Sequence, residues 1–253
     1  MKIDVVIAVK NDASKLNTCC TELMKKVPIN NLIIVVGRSK DNTLETANKY
    51  ANIIIEDENK GIGHARSLGL EKVETDYYAS IDSDVIISGS WYNWCIRTIK
   101  KPRVGACEGF QYPIGTNFQK VLTMWSKEWR KDLTHIIGGS LGNTMLRTDI
   151  VREVGMPFER SWEDIALRKR LVSKGYRWVI NYDLLSTHDV SDIEILLHTL
   201  HWSKLRKRDG NFFKELAVIS KRFLDPRKEQ DLNASIFLLL LNLAESYGLL
   251  VKR

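Results

Sequence analysis

The chain has 253 residues, 44% of them hydrophobic, enough to bury one sizeable core or one domain with a small appendage. Its four cysteines, Cys19, Cys20, Cys95 and Cys107, form no C-x-x-C pair, which argues against a disulfide framework or a zinc site and for a reducing cytosol. A formal charge of +7 suits nucleic acid, an anionic membrane or a phosphate-bearing substrate, and the lack of any run of about 18 apolar residues argues against a membrane span.

Met1 and Lys2 lead straight into an apolar run, so no signal peptide is expected. Residues 3–9 read as a buried strand, and 14–26 as a helix with Leu16, Cys19, Cys20, Leu23 and Val27 on one face. Residues 32–36 predict a second strand. Ser39 and Asp41 then offer N-cap oxygens to a helix carrying Leu44, Ala47 and Ala51. A third strand at 53–55, a helix over 62–74 and a fourth strand at 77–81 follow, the last ending on Asp82. Strands rich in Ile and Val alternating with helices predict an α/β fold, with a mostly parallel sheet covered on both faces. Ligands of such sheets bind beyond the carboxyl ends of the strands, which is where Asp82, Ser83 and Asp84 fall.

The second half is more mixed. A strand is predicted at 104–110, a helix at 117–132 and a flexible break at Gly138, Gly139 and Ser140. A short strand at 144–147 and a short helix at 148–154 follow. Ser161 can cap a helix running to Lys174, with Ile165, Leu167 and Leu171 facing inward, and 178–181 is a further strand. Beyond His188 the pattern is helical to the end. With no repeat and no Pro/Gly/Ser linker, the organisation is a catalytic domain over 1–190 and a helical extension over 191–253.

Three groups of residues can carry chemistry. Asp82 and Asp84, two residues apart past a buried strand, can share a hard divalent cation such as Mg²⁺ or Mn²⁺ with substrate phosphates, although turns after strands also use Asp and Ser for local hydrogen bonds. Glu163 and Asp164 open a helix, where acidic side chains are favoured by the helix dipole but where one of them could also act as a general base. His188 follows a strand and is either structural or a metal ligand.

Taken in order, these and other segments resemble the family-2 glycosyltransferases of the GT-A fold over residues 3–190. The opening strand with Asn11 and Asp12 resembles that family's first strand and its polar end. SKDNT at 39–43 resembles the S-x-D-x-T turn, and NKGIGHARSLG at 59–69 resembles N-x-G-x-x-x-A-R-N-x-G. IDSD at 81–84 resembles the metal motif. GNTMLR at 142–147 with EVGMPFE at 153–159 resembles the acceptor-side segment, and the run from Glu163 to Tyr176 resembles E-D-x-x-L-x-x-R-L-x-x-x-G-Y. The resemblance implies an inverting enzyme that moves a sugar from a nucleotide-diphosphate sugar to an acceptor hydroxyl or lipid phosphate with Mn²⁺ or Mg²⁺. It implies metal contacts at Asp84 and Asp82, with Asp82 also reaching the ribose, a further metal or diphosphate contact at His188, and a catalytic base at Asp164. Asp12, Asp41 and Arg66 would lie around the nucleotide. The chain departs from the pattern at Ala8-Val9-Lys10, where a proline and an aromatic are usual. It also departs at Val36-Gly37-Arg38, where acidic residues contact the base, and at Ser67 in place of asparagine. These departures leave UDP and GDP both open.

Rival readings fare less well. A dinucleotide-binding fingerprint would need glycine where Arg66 stands. A nucleotidyltransferase making an activated sugar would need a glycine-bearing loop straight after the first strand, and residues 10–15 contain none. A catalytically inactive binding module of the same fold would have no need of Asp82, Asp84 and Asp164. Basic residues thicken toward the C-terminus (Lys204, Arg206, Lys207, Arg208, Lys214, Lys221, Arg222, Arg227, Lys228), but few aromatics accompany them, and no nucleic-acid partner is expected. The segment 232–251, apolar except for residues such as Asn242 and Glu245, suits a peripheral position at the inner membrane face of a cytoplasmic enzyme with a lipid-linked or glycan acceptor. Packing on the catalytic domain, or a dimer contact, is the competing reading of the same segment.

Overall fold

The computed structural model describes residues 1–117, 119, 139–158, 162–205, 236–237, 239–240 and 243–244. The expected helix over 117–132 apart from residues 117 and 119, the Ser161 cap, Gly138, the basic run from Arg206 onward and most of 232–251 lie outside them.

β1 (Ile3–Val9), β2 (Ile29–Gly37), β3 (Ile53–Asp57) and β4 (Tyr77–Asp82) pair in parallel in the order β3-β2-β1-β4. β1 and β2 are nearly continuous apolar runs because both of their faces are buried. Val5, Ile7, Val9, Ile34 and Val36 face one core, closed by Leu16, Cys19, Cys20 and Leu23 of α1 (Ala13–Lys26). Val6 and Ile33 face the other, closed by Leu70 of α3 (Ile62–Glu71). α3 lies close on the sheet because Gly69 has no side chain; a Cβ there would stand 2.3 Å from Val6 Cγ1. These crossovers, with α2 (Thr43–Tyr50) between β2 and β3, bring the ends of four strands to one edge.

Ser83 and Asp84 then carry the chain from the centre of the sheet to its far side. There the two-residue β5 (Val85–Ile86) pairs antiparallel with the end of β8 (Arg177–His188), setting Val85 opposite His188. Next come α4 (Trp91–Ile99), β6 (Val104–Pro113), β7 (Asn143–Arg147), α5 (Thr148–Val154) and α6 (Glu163–Ser173). β7 runs antiparallel to both β4 and β6, giving a mixed sheet of order β3-β2-β1-β4-β7-β6-β8-β5.

Several details differ from the sequence reading. Leu44 is 38% exposed, because α2 buries Thr43, Thr46 and Ala47 instead. Asn42, not Ser39 or Asp41, occupies the α2 N-cap, and Ser39 and Asp41 fasten neighbouring loops. α3 stops at Glu71, Ile165 is only half-buried, and the strand predicted at 178–181 is the start of a 12-residue β8.

By internal contacts the chain forms two units, Met1–Tyr112 with Thr134–Asp189, and Pro113–Leu133 with Val190–Arg253. The second unit contains α7 (Asp192–Leu205), in which the Asp192 carboxylate accepts from the Asn117 backbone N–H at 3.0 Å and its side-chain amide at 3.1 Å. Among the described residues no helix is long and apolar enough to cross a membrane.

Candidate active site

The loops beyond β1 and β2 are cross-fastened by short polar side chains. Asn11, at φ 51°, accepts the Lys40 N–H at 2.7 Å, and its own N–H donates to Ser39 Oγ at 3.0 Å. Left-handed backbone is tolerated by Asn because its side chain bonds locally. Asp41 Oδ2 accepts the Ala13 N–H at 3.1 Å, and its Oδ1 accepts the Thr43 N–H and hydroxyl at 3.2 and 2.5 Å. The Thr43 hydrogen bond leads in holding the Asp41 carboxyl below its usual range. Asp12 faces the D-S-D step directly, since its Oδ2 accepts the Ser83 hydroxyl at 2.6 Å. Beyond β3, the buried Asp57 accepts the Asn59 N–H at 2.9 Å and meets His64 Nδ1 at 2.8 Å.

At the end of β4 the two motif aspartates part. Asp84 Oδ2 stands 3.2 Å from His188 Nε2, a pairing fixed by the β5–β8 ladder and by the Asp189 N–H donating to the Asp84 carbonyl at 2.8 Å. Burial opposes charge on both groups, yet their mutual attraction prevails. The Asp84 carboxyl is lowered and the His188 imidazole raised. Adjacent ligands of an octahedral ion at about 2.1 Å lie about 3 Å apart, so this donor pair fits one divalent cation with room for phosphate oxygens and water. Among the described residues no group of three or more His, Cys, Asp or Glu side chains could hold a metal ion.

Asp82 turns instead toward Arg66, whose Nη2 donates to Asp82 Oδ1 at 2.6 Å, while Nη1 donates to Glu163 Oε1. Arg66 is 6% exposed and Glu163 4%, so one buried guanidinium ties the D-S-D step to the first turn of α6. Gly142 closes the other side of Asp82. Its carbonyl accepts the Asp82 N–H at 3.0 Å, and a Cβ would stand 2.4 Å from Asp82 Oδ2.

Asp164 follows Glu163 and is half-buried, with Oδ1 accepting the Ile165 N–H at 2.7 Å. Burial, then the Glu163 charge, pushes its carboxyl from 3.8 up to about 7, against the pull of Arg66. A base poised near neutrality matches the task of deprotonating a hydroxyl. Trp162, the α6 N-cap, is left-handed at φ 65° and ψ 20°, a conformation costing a bulky residue of order 1–3 kcal/mol. A second buried carboxylate, Glu108 on β6, is raised by burial from 4.5 to about 7 although three groups donate to its Oε2. These are the Ser140 N–H at 2.9 Å, Thr144 Oγ1 at 3.3 Å and Trp178 Nε1 at 2.7 Å.

The structure thus gathers Asp12, Arg66, Asp82, Asp84 and His188 by direct contacts or adjacency, with Asp164 beside Glu163, and sets Asp41 one loop away as a fastener. Asp57, His64 and Glu108 were not singled out in the sequence, nor was Ser83 as Asp12's partner or Glu163 as Arg66's. The Glu163 pairing joins residues 97 apart, so no local pattern signals it.

This arrangement, with strand ends of a βα half meeting a carboxylate-opened helix, is that of a GT-A-type α/β protein. The chain belongs to glycosyl transferase family 2, whose family model matches residues 4–155. It is 25% identical over 202 residues to the glycosyltransferase AglE of Haloferax volcanii, covering 74% of this chain and 66% of that protein. It is 30% identical over 102 residues to EpsH of Bacillus subtilis, covering 38% and 30% respectively. The chain therefore spans less than two thirds of the length of both relatives. Among solved structures, a mannosyltransferase of Pyrobaculum calidifontis in complex with GDP-Man and Mn²⁺ superposes at TM-score 0.65 with 15% identity, covering 96% of this chain and 73% of that one. Glucosyl-3-phosphoglycerate synthase of Mycobacterium tuberculosis with Mg²⁺ and UDP superposes at 0.56 with 17% identity, covering 75% and 72%. These likenesses establish the fold.

Proposed function

We propose that this chain is a metal-dependent, inverting glycosyltransferase acting on a nucleotide-diphosphate sugar. The observation that carries the reading is the Arg66 bridge, which couples Asp82 of the D-S-D motif to Glu163, the neighbour of the raised carboxyl Asp164. Asp84 and His188 would hold Mn²⁺ or Mg²⁺, which supplies positive charge for the departing diphosphate. Asp164 takes the proton from the acceptor hydroxyl as the hydroxyl oxygen bonds to the anomeric carbon. The bond from that carbon to the diphosphate oxygen breaks with its electron pair leaving on the diphosphate. One displacement inverts the centre. Arg66 keeps Asp82 and Glu163 matched, so that Asp164 meets the acceptor at a fixed height. The test is a panel of UDP- and GDP-linked sugars with Mn²⁺, read by thermal shift and nucleoside diphosphate release. A panel in which no sugar nucleotide shifts the melting temperature or is turned over overturns the reading.

The second unit supports a peripheral membrane position with a lipid-linked acceptor. Ile236, Leu239, Leu240 and Leu243 fall at i, i+3, i+4 and i+7 and are 43–56% exposed, an uncovered apolar stripe. Ile193 and Leu197 on α7 are 69% and 58% exposed. Such stripes bind the interface of anionic bilayers when basic residues accompany them, and the sequence supplies these between 204 and 228. Leu239→Glu with Leu243→Glu should abolish co-sedimentation with anionic liposomes at low salt. Equal partitioning of the variant and the unaltered chain removes the idea.

A further inference from the structure

We infer that Phe158 and Trp162 form an acceptor platform that takes a neutral pyranoside, whose ring stacks on the two side chains while its hydroxyl meets Asp164. The inference rests on the glycosyl-transfer reading above and narrows its acceptor from hydroxyl or lipid phosphate to a sugar hydroxyl.

Phe158 and Trp162 are 65% and 36% exposed, and no other Phe, Tyr or Trp ring is exposed among the residues whose side chains are described. Both fall within six positions of Asp164 in the chain. Isolated exposed aliphatic residues need no explanation, but two exposed rings flanking a half-buried carboxyl do. Phe158 lies against His64 with centroids 6.2 Å apart and planes tilted 43°. His64 is in turn oriented through Nδ1 by the buried Asp57 at 2.8 Å. Trp162 is set by its left-handed backbone directly before the first turn of α6. A water-exposed aromatic face attracts the C–H side of a pyranose, because the ring face is electron-rich and the sugar's axial C–H bonds are its least hydrated surface.

The charges acting on Asp164 disfavour an anionic acceptor. Arg66, the buried cation there, is already matched by Asp82 and Glu163. The surroundings raise the Asp164 carboxyl itself, so a second negative charge brought to it is disfavoured for the same reason. A phosphate acceptor is already an anion at neutral pH and has no proton that requires a base. A sugar hydroxyl requires one.

The test uses the full chain with whichever nucleotide sugar it turns over, and octyl β-D-glucopyranoside, octyl α-D-mannopyranoside and octyl phosphate as acceptor probes. Phe158→Ala and the conservative Trp162→Phe accompany Trp162→Ala, so that a folding defect in the last does not decide the outcome. The expected result is transfer to a glycoside, with each Ala variant raising acceptor KM about 2- to 10-fold and by more than donor KM. Transfer to octyl phosphate in preference to the glycosides overturns the inference. So does donor turnover that no glycoside stimulates, or an acceptor KM unmoved by Phe158→Ala. Failure to consume any nucleotide sugar instead strikes the glycosyl-transfer reading beneath it.

Discussion

Asp164→Asn replaces a carboxylate by an amide of nearly the same shape that can still accept the Ile165 N–H. Its effects on activity and stability should have opposite signs. Loss of a general base lowers turnover by about 10²–10⁴-fold. The carboxyl's rise from 3.8 to about 7 means that the folded state resists ionising it. At 1.36 kcal/mol per pH unit that corresponds to about 4 kcal/mol, and solvent reaching the half-buried group reduces it to about 2 kcal/mol. The sign follows from the two titrations. Below 3.8 both states are protonated and nothing is lost. Between 3.8 and about 7 the unfolded chain ionises first, so the wild type loses stability as pH rises; above about 7 the loss is constant. The asparagine variant avoids it. Differential scanning fluorimetry should therefore find the variant about 4–8 °C more stable than wild type at pH 8, with the gap nearly closed at pH 4. A gap independent of pH refutes the environment assigned to Asp164. Turnover within a few-fold of wild type, or a product with retained anomeric configuration, refutes its role.

Asp84→Ala should abolish metal-dependent nucleotide binding, measured by calorimetry, while circular dichroism remains that of the folded chain; an Mn²⁺ ion found elsewhere in a soaked crystal would refute the assignment. Because His188 is raised and must be neutral to bind a cation, Mn²⁺ affinity should climb as pH rises from 6 to 8 with uptake releasing protons, and a flat profile counts against His188 as a ligand. Arg66→Met strands the buried Glu163 carboxylate and should cost about 3–5 kcal/mol in urea unfolding, with Glu163→Gln recovering part of the loss.

How much of this was legible in the sequence depended on range. β1 to β4 announce themselves because strands buried on both faces must be apolar throughout, and α1 because Leu16, Cys19, Cys20 and Leu23 repeat at helical spacing. The D-S-D step is readable as the polar end of such a strand. α4 was not, because Trp91, Cys95, Thr98 and Ile99 make its buried face from an unusual mixture of residues. β8 was cut short because Asn181, Asp183 and Ser186 interrupt its apolar pattern. The side-chain pairings least visible were those fixed by topology, with Glu163 meeting Arg66 and Glu108 meeting Trp178 70 residues on. The cap position moved to Asn42 because Ser39 and one Asp41 oxygen serve the loop after β1, while the other Asp41 oxygen still accepts the N–H of Thr43 at the start of α2, a division that local rules for helix starts do not foresee.

The β5–β8 ladder has a consequence for the order in which the protein becomes competent. Asp84 and His188 are 104 residues apart in sequence and are brought together by a ladder whose shorter strand has only two residues. A chain emerging from the ribosome would carry both motif aspartates long before the imidazole that completes the ion pair exists. Contacts of such separation close late in folding, and a two-residue ladder is the kind of local unit that reopens without global unfolding. Loading of the proposed cation would thus report that synthesis had passed β8, and release of the ion could precede any melting of the parallel half.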